Sequence, residues 1–343
     1  MEAGDAHCAR LMRATVFAAL SLLCSVCATF GAGRGSFLTL TEENDDFALN
    51  GDRHYTQGAR IAYTLCEDRT PDWTYSLMHR LPGWGLDIQT VRLGFTLGQN
   101  IYTPAKLWTS AWMSDDRPYA GYIYFGTYAQ RTGTMLGIPV LDTAELDVGL
   151  IGPYSLGEQA QRWWHGIGDW IQPQGWNNQL KTEPGLTLKL NRQWKFSPTK
   201  PENGWGIEML PQAGVSLGNV MTFGQLGAIL RAGYNIPEDF GVQNIDSLAA
   251  QYGGRGPNTP IFGAYVFAAA DGKAVAHNAF LDGNLWQRSH SISKNPFVAE
   301  FKAGGVLTTR YFEIAMTFMM RTCEFKTQQR CDRFGSLTLT AKF

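Results

Sequence analysis

The sequence predicts an all-β protein: a transmembrane antiparallel β-barrel of about twelve strands, with a short helix in an extracellular loop. Three observations carry that expectation. Segments of two-residue alternation recur along the 343-residue chain, the C-terminus is itself an alternating strand that ends in Phe343, and the N-terminus reads as an export signal. Composition narrows the field further. Only 17% of residues are charged, 38 are Gly, and 29 basic residues against 30 acidic ones give a net charge of −1. Such a balance lacks the basic footprint of a nucleic-acid binder, and beyond the N-terminus no apolar run reaches the length of a membrane-crossing helix.

The N-terminal element comes first. Arg10 and Arg13 precede an apolar stretch from Ala14 to Ala28, and Val26-Cys27-Ala28 supplies small residues for cleavage. Residues 1–28 are expected to be a signal peptide cut near 28–33, with the barrel occupying 36–343. Glu2 and Asp5 are unusual in a leader, and Met12-Arg13 opens a more conventional one. Leu and Val before Cys24 and Cys27 do not make a lipobox. Cys66, Cys323 and Cys331 remain for the oxidising, exported part of the chain, and three thiols cannot all pair internally. Cys323 and Cys331 flank a polar, loop-length segment, where a hairpin disulfide and two free thiols are both open. No His stands near any of the three, which weakens a cysteine nucleophile.

The strands follow from period and punctuation. Val91, Leu93, Phe95 and Leu97 alternate with Arg92, Gly94, Thr96 and Gly98; Ala144, Leu146, Val148 and Leu150 alternate with Glu145 and Asp147. Leu186, Leu188 and Leu190 repeat the pattern, as do Phe297 to Ala303 and Phe312 to Met320. A soluble sandwich could show the same alternation; the closing strand Leu337, Leu339, Ala341, Phe343 favours the barrel. Candidate strands lie at 36–44, 54–66, 89–100, 119–131, 139–150, 182–194, 205–218, 220–234, 261–270, 274–284, 297–307, 310–322 and 334–343. These are thirteen, and single-chain bacterial barrels use an even number, so one is expected to be miscalled or not to span, leaving twelve. Asp271-Gly272-Lys273 is expected to be a tight turn, in the weakest stretch of the pattern. Long connections at 67–88, 101–118, 151–181, 235–260 and 285–296 are the expected carriers of function. Within one of them, residues 157–166 run without a breaker after Gly157 and predict a short helix, placing Gln161 and His165 on one face.

Candidate chemistry gathers at strand ends. Glu42-Glu43-Asn44-Asp45-Asp46 offers a density of hard oxygen ligands suited to Ca²⁺. Asp52-Arg53-His54-Tyr55-Thr56-Gln57-Gly58 opens the next strand, and Asp115-Asp116-Arg117-Pro118-Tyr119-Ala120-Gly121 leads into the fourth. Tryptophans such as Trp108, Trp112, Trp163, Trp164, Trp170 and Trp176 concentrate in the connections, as interfacial aromatics would.

Taken in order, E-N-D-D, D-R-x-Y-T-x-G, Gly98 to Pro104 (G-Q-N-I-Y-T-P), D-R-P-Y-A-G, Ile151-Gly152-Pro153, Q-x-x-x-H and Gln174 to Gln179 (Q-G-W-N-N-Q) resemble the outer-membrane lipid A 3′-O-deacylase family, LpxR. The resemblance runs from about residue 36 to the C-terminus. It implies a twelve-stranded barrel in the bacterial outer membrane. The implied activity is removal of the 3′-linked acyloxyacyl group of lipid A by Ca²⁺-dependent ester hydrolysis, with lipopolysaccharide of the outer leaflet as partner. It further implies His165 as catalytic base, Gln161, Asn44, Asp45 and Thr56 as further catalytic residues, Asp45 as metal ligand and Lys106 as a substrate-binding cation. One position departs: a functional Glu of the family stands six residues beyond the His, where this chain has Ile171. Asp169 and Glu183 are nearby carboxylates that do not align. An outer-membrane phospholipase, a passive pore and an inactive family member remain as alternatives; the phospholipase would use a Ser beside a His, and Ser155 precedes His165 by ten residues.

Overall fold

The computed structural model describes residues 35–48, 53–168, 170–199, 204–248, 252–253 and 259–343. The expected leader and Asp169 lie outside these. Among the described residues the chain forms one closed antiparallel ring of twelve strands: β1 (Phe37–Asn44), β2 (His54–Thr64), β3 (Asp87–Thr103), β4 (Ala120–Met135), β5 (Ile138–Ile151), β6 (Glu183–Trp194), β7 (Trp205–Gly218), β8 (Met221–Tyr234), β9 (Phe262–Asn278), β10 (Phe297–Thr309), β11 (Phe312–Arg321) and β12 (Asp332–Lys342). A short segment, Phe196–Thr199, continues β6 along β7 after a break at Lys195. The ring is closed where β1 pairs with β12, and the pairing of β6 with β7 keeps it continuous.

The expected total of twelve holds because two candidates are one strand. Asp271-Gly272-Lys273 is not a turn: it lies inside β9, which pairs continuously with β10 from Phe262 to Ala274. Asp271 and Lys273 point into the lumen, where Lys302 meets Asp271 at 3.2 Å and Glu300 meets Lys273 at 3.0 Å. Alternating charges around a Gly look like a turn in sequence; here they are the lumenal half of a strand.

One parity governs the wall. Odd positions of β3 and β4 such as Leu97 and Phe125 stand exposed on the outside with Val148, Leu186, Leu226 and Val266, forming an apolar belt. Residues of the other parity fill the lumen with ion pairs. Arg60 meets Glu145 at 2.8 Å, Lys189 meets Glu145 and Asp147 at 2.9 and 2.8 Å, and Lys342 meets Glu313 at 2.8 Å. From the β8–β9 connection, Ile236, Phe240 and Val242 fold inward against lumenal Leu141, Leu210, Ile229 and Tyr265. Farther along, Ile245 N donates to Glu43 at 2.9 Å and Asp246 meets Arg321 at 2.5 Å. Among the described residues the lumen is a packed, charged core.

Strands start and close at one end, the lower rim, which holds the tight Met135–Ile138 and Thr309–Phe312 reversals. Most of the long connections rise from the opposite, upper rim. Two helices matter. Helix α1 (Asp72–Arg80), absent from the sequence expectation, lies in the β2–β3 connection at the lower rim. Helix α2 (Gly157–Gly168) occupies the expected place in the β5–β6 connection at the upper rim and runs two residues longer than the expected 157–166.

Candidate active site

The site is built on the outside of the wall, at the upper rim. On β1 the hydroxyls of Thr39 and Thr41 face Thr340 and Thr338 across the lumen side, and Glu43 accepts from Tyr55 Oη at 2.9 Å. Glu42 and Asn44 therefore face outward. On β3, exposed Leu97 sets the outward parity that continues through Gln99, Ile101 and Thr103. A bulge between Tyr55 and Gln57 turns Thr56 out of register, and its hydroxyl meets that of Thr103 at 2.6 Å.

Asn44, Asp45 and Thr56 meet at this corner. Asn44 Oδ1 accepts from Asp46 N at 2.8 Å, Asp45 Oδ2 accepts from Arg53 N at 2.6 Å, and Asp45 N donates to Thr56 O at 3.4 Å. All three residues are buried. Gln57 stands directly across from Asn44 and donates through Nε2 to Glu42 at 2.8 Å. Its Oε1 is buried without a donor. No group of three or more His, Cys, Asp or Glu assembles among the described residues. The corner instead offers the carboxylates of Asp45 and Glu42 and amide oxygens, hard donors of the kind Ca²⁺ accepts, and the unsatisfied Gln57 Oε1 fits such an ion.

Helix α2 reaches the same wall by close backbone approach. A Cβ at Gly121, an outward position of β4, would lie 2.0 Å from Ser155 Oγ and 3.1 Å from Gly157 Cα. Glycine there is a steric requirement. Gln99 Nε2 donates to Ser155 O at 2.7 Å, while Ser155 Oγ accepts from Gly157 N at 3.3 Å at the start of the helix. Ala160 then packs against Ile101, Leu107, Tyr119 and Trp176. That seat buries Gln161 and His165 side by side on the helix face turned from water.

A hydrogen bond orients each of the two. Gln161 Oε1 accepts from Trp176 Nε1 at 2.8 Å, and its Nε2 is buried without an acceptor. His165 Nδ1 donates to Ile171 O at 2.6 Å, with Trp170 edge-on at 5.9 Å between ring centres. Because a carbonyl only accepts, Nδ1 carries the proton and Nε2 is the basic nitrogen. Lys106 is exposed on the connection after β3, between Ala105, whose N–H is held by Asp116 at 2.8 Å, and buried Leu107. Glu183 is taken elsewhere: it accepts from Leu285 N and Trp286 N at 3.1 and 3.2 Å. Trp176 and Thr103, which orient Gln161 and Thr56, were not singled out as site residues in the sequence, although both lie within the quoted motifs or at their edge. A cavity of about 970 Å³ lined by Leu190, Val215, Leu226 and Phe297 contains none of the candidate residues.

Residues 16–343 match the family model described as outer membrane protein LpxR. The chain belongs to the LpxR family. Among solved structures this LpxR-family barrel is similar to LpxR from Salmonella typhimurium, at 20% identity and a TM-score of 0.71, covering 90% of this chain and all (100%) of that one. That likeness shows the fold. The beta domain of the Bordetella autotransporter BrkA aligns at 9% identity with a TM-score of 0.43, over 90% of this chain and 99% of that one. No curated protein matches the chain. LpxR-family membership and the closed barrel place the protein in the outer membrane, with the long loops of the upper rim outside the cell and the lower rim in the periplasm.

Proposed function

We propose that this protein is a lipid A 3′-O-deacylase, hydrolysing the ester of the 3′-linked acyloxyacyl group with His165 as general base. The observation that carries the reading is the buried His165, its Nδ1 proton held by Ile171 O at 2.6 Å so that Nε2 is the basic nitrogen. General-base catalysis needs such a group in reach of a water, with donors for the charge that develops on the ester oxygen. Gln161 suits the second task, since Trp176 fixes its Oε1 and leaves buried Nε2 hydrogens to donate. Thr56 and Asn44 would orient the substrate from the wall.

Asp45, with the amide oxygens of Asn44 and Gln57, would hold Ca²⁺, which when bound supplies Lewis-acid stabilisation of the oxyanion. Lys106, exposed on the connection after β3, would meet a phosphate of the lipid. An outward-facing site at the outer-leaflet end of the wall suits a lipid that never leaves the membrane.

A phospholipase with a Ser–His pair finds less support: the Ser155 hydroxyl accepts from Gly157 N at the helix start, and His165 Nδ1 is held by a backbone carbonyl. A passive pore conflicts with the filled lumen. The test is lipid A incubated with purified wild-type, His165→Ala and Asp45→Ala proteins over a Ca²⁺ titration. Loss of activity in the first and a raised Ca²⁺ requirement or loss in the second support the reading. Full activity of a folded His165→Ala protein would remove the base, and an unchanged Ca²⁺ dependence in Asp45→Ala would clear Asp45 of metal binding.

A further inference from the structure

The lower rim carries a helix on the outside of the barrel, and its seat is charged. Thr74 and Met78 of α1 are buried, and Met78 packs with Tyr75 and Leu81 on Val91, Ala129 and Ala144. Those three belong to the outward parity of β3, β4 and β5, which higher up presents Leu97, Phe125 and Val148 to lipid. Two outward arginines latch the helix end. Arg131 donates to Met78 O, to Leu81 O at 3.1 Å and to Pro82 O at 2.8 Å; Arg192 donates to Gly83 O at 3.2 Å and lies 5.1 Å from the Trp84 ring centre. Asp142 joins them, 2.7 Å from Arg131 and 2.6 Å from Arg192.

Around the helix three stripes follow one another. Beside the wall-facing stripe of Thr74 and Met78 runs a second, Trp73 and Leu77, four residues apart and both exposed. Asp72, Ser76, His79 and Arg80 take the remaining arc. Exposed Trp84 follows just beyond the helix. A helix hanging free in the periplasm would gain nothing from a Trp–Leu stripe next to the lipid belt. One lying in the headgroup layer needs just that order: wall, then acyl boundary, then water. The Arg131–Asp142–Arg192 cluster is covered by the helix end and paired within itself, so the helix also shields these wall charges from lipid.

We propose that α1 and Trp84 form a phospholipid-binding surface, seated in the headgroup layer of the periplasmic leaflet and fixing the depth of the barrel in the membrane. The occupant is a phospholipid surface, and the apolar stripe supplies the binding: Glu67, Asp68 and Asp72 against Arg69 and Arg80 give the helix and its approach no cationic excess for anionic headgroups.

The experiment uses the full barrel in phosphatidylcholine vesicles, with Cys66, Cys323 and Cys331 replaced by Ser and a single environment-sensitive fluorophore placed through Leu77→Cys, His79→Cys or, as a lipid-wall reference, Leu226→Cys. Folding is scored by heat-modifiability, and Trp73→Cys serves as a second probe of the same stripe. The Leu77 label should be quenched by lipids bearing a spin label near the headgroup and several-fold less by aqueous iodide than the His79 label. Iodide quenching equal at Leu77 and His79 would place the helix in water and overturn the proposal. Protection of Leu77 from both iodide and spin-labelled lipid would show a protein cover and overturn it equally.

Discussion

His165 Nδ1 donates to Ile171 O at 2.6 Å, so the residue six positions beyond the histidine acts through its backbone. The Ile171 side chain is exposed. A position where the family resemblance implies a functional Glu thus still orients the imidazole in this chain. Ile171→Ala is expected to keep activity within an order of magnitude of wild type, whereas His165→Gln should lose about 10²- to 10⁴-fold in turnover, measured on lipid A in detergent.

Gly121 controls whether the helix can reach the wall. Gly121→Val would drive a side chain into Ser155 and Gly157 and lift the start of α2. Activity should fall sharply while the barrel stays heat-modifiable, and limited proteolysis should cut the 152–181 connection faster than in wild type.

The lumenal pairing at Asp271 distinguishes a strand from a turn. In an exposed turn Asp271→Ala would be nearly neutral. Inside β9 it leaves Lys302, which meets Asp271 at 3.2 Å, short of a partner in a buried network. Removing one partner of a buried pair costs about 3–5 kcal/mol, read as a lower urea midpoint in refolding experiments.

Two loop carboxylates set the acid response of the outer loops. Burial pushes the Asp282 carboxyl up, but His277, the Asn278 N–H and Lys294 outweigh it and hold it at about 2. Asp116 moves the same way: against burial, the His54 ring and the Ala105 and Arg117 amides hold it below the usual carboxylate range. A depressed folded value gives stability that is present above the unfolded value of about 4 and lost as pH falls toward about 2. Protease sensitivity of the 279–296 connection should rise across that window, and Asp282→Asn should flatten the rise.

Cys323 and Cys331 are both free thiols just beyond the last β11–β12 pair, Arg321 with Asp332, and burial together with the neighbouring Cys331 pushes the Cys323 thiol up. Exchange with a small disulfide such as oxidised glutathione should join them, releasing the oxidant as its two thiols. Alkylation before and after reduction counts the protected thiols; Cys66, which is buried, should stay unpaired.

Much of this was legible in the sequence because a barrel wall writes its two faces in alternation. Strands around Leu97, Val148 and Phe301 were readable for that reason, as was the helix carrying Gln161 and His165, four apart. Alternation failed in β9, where Asp271 and Lys273 mimic a turn because lumenal charge looks like solvent exposure. It could not reveal α1, whose few apolar residues divide between the wall and an exposed stripe. Nor could it show that Thr56 faces outward, since the bulge there breaks the period locally. Trp176 and Gln57, which complete the site, are ordinary loop and strand residues until Gln161 and Asn44 are seen beside them.

Cleavage of a lipid A ester at this outward-facing corner is what we propose. The most direct measurement is mass spectrometry of lipid A before and after incubation with the purified barrel and Ca²⁺. Loss of the 3′ acyloxyacyl mass is expected, abolished by a chelator and in His165→Ala. Unchanged lipid A in the presence of a folded, Ca²⁺-supplied protein would contradict it.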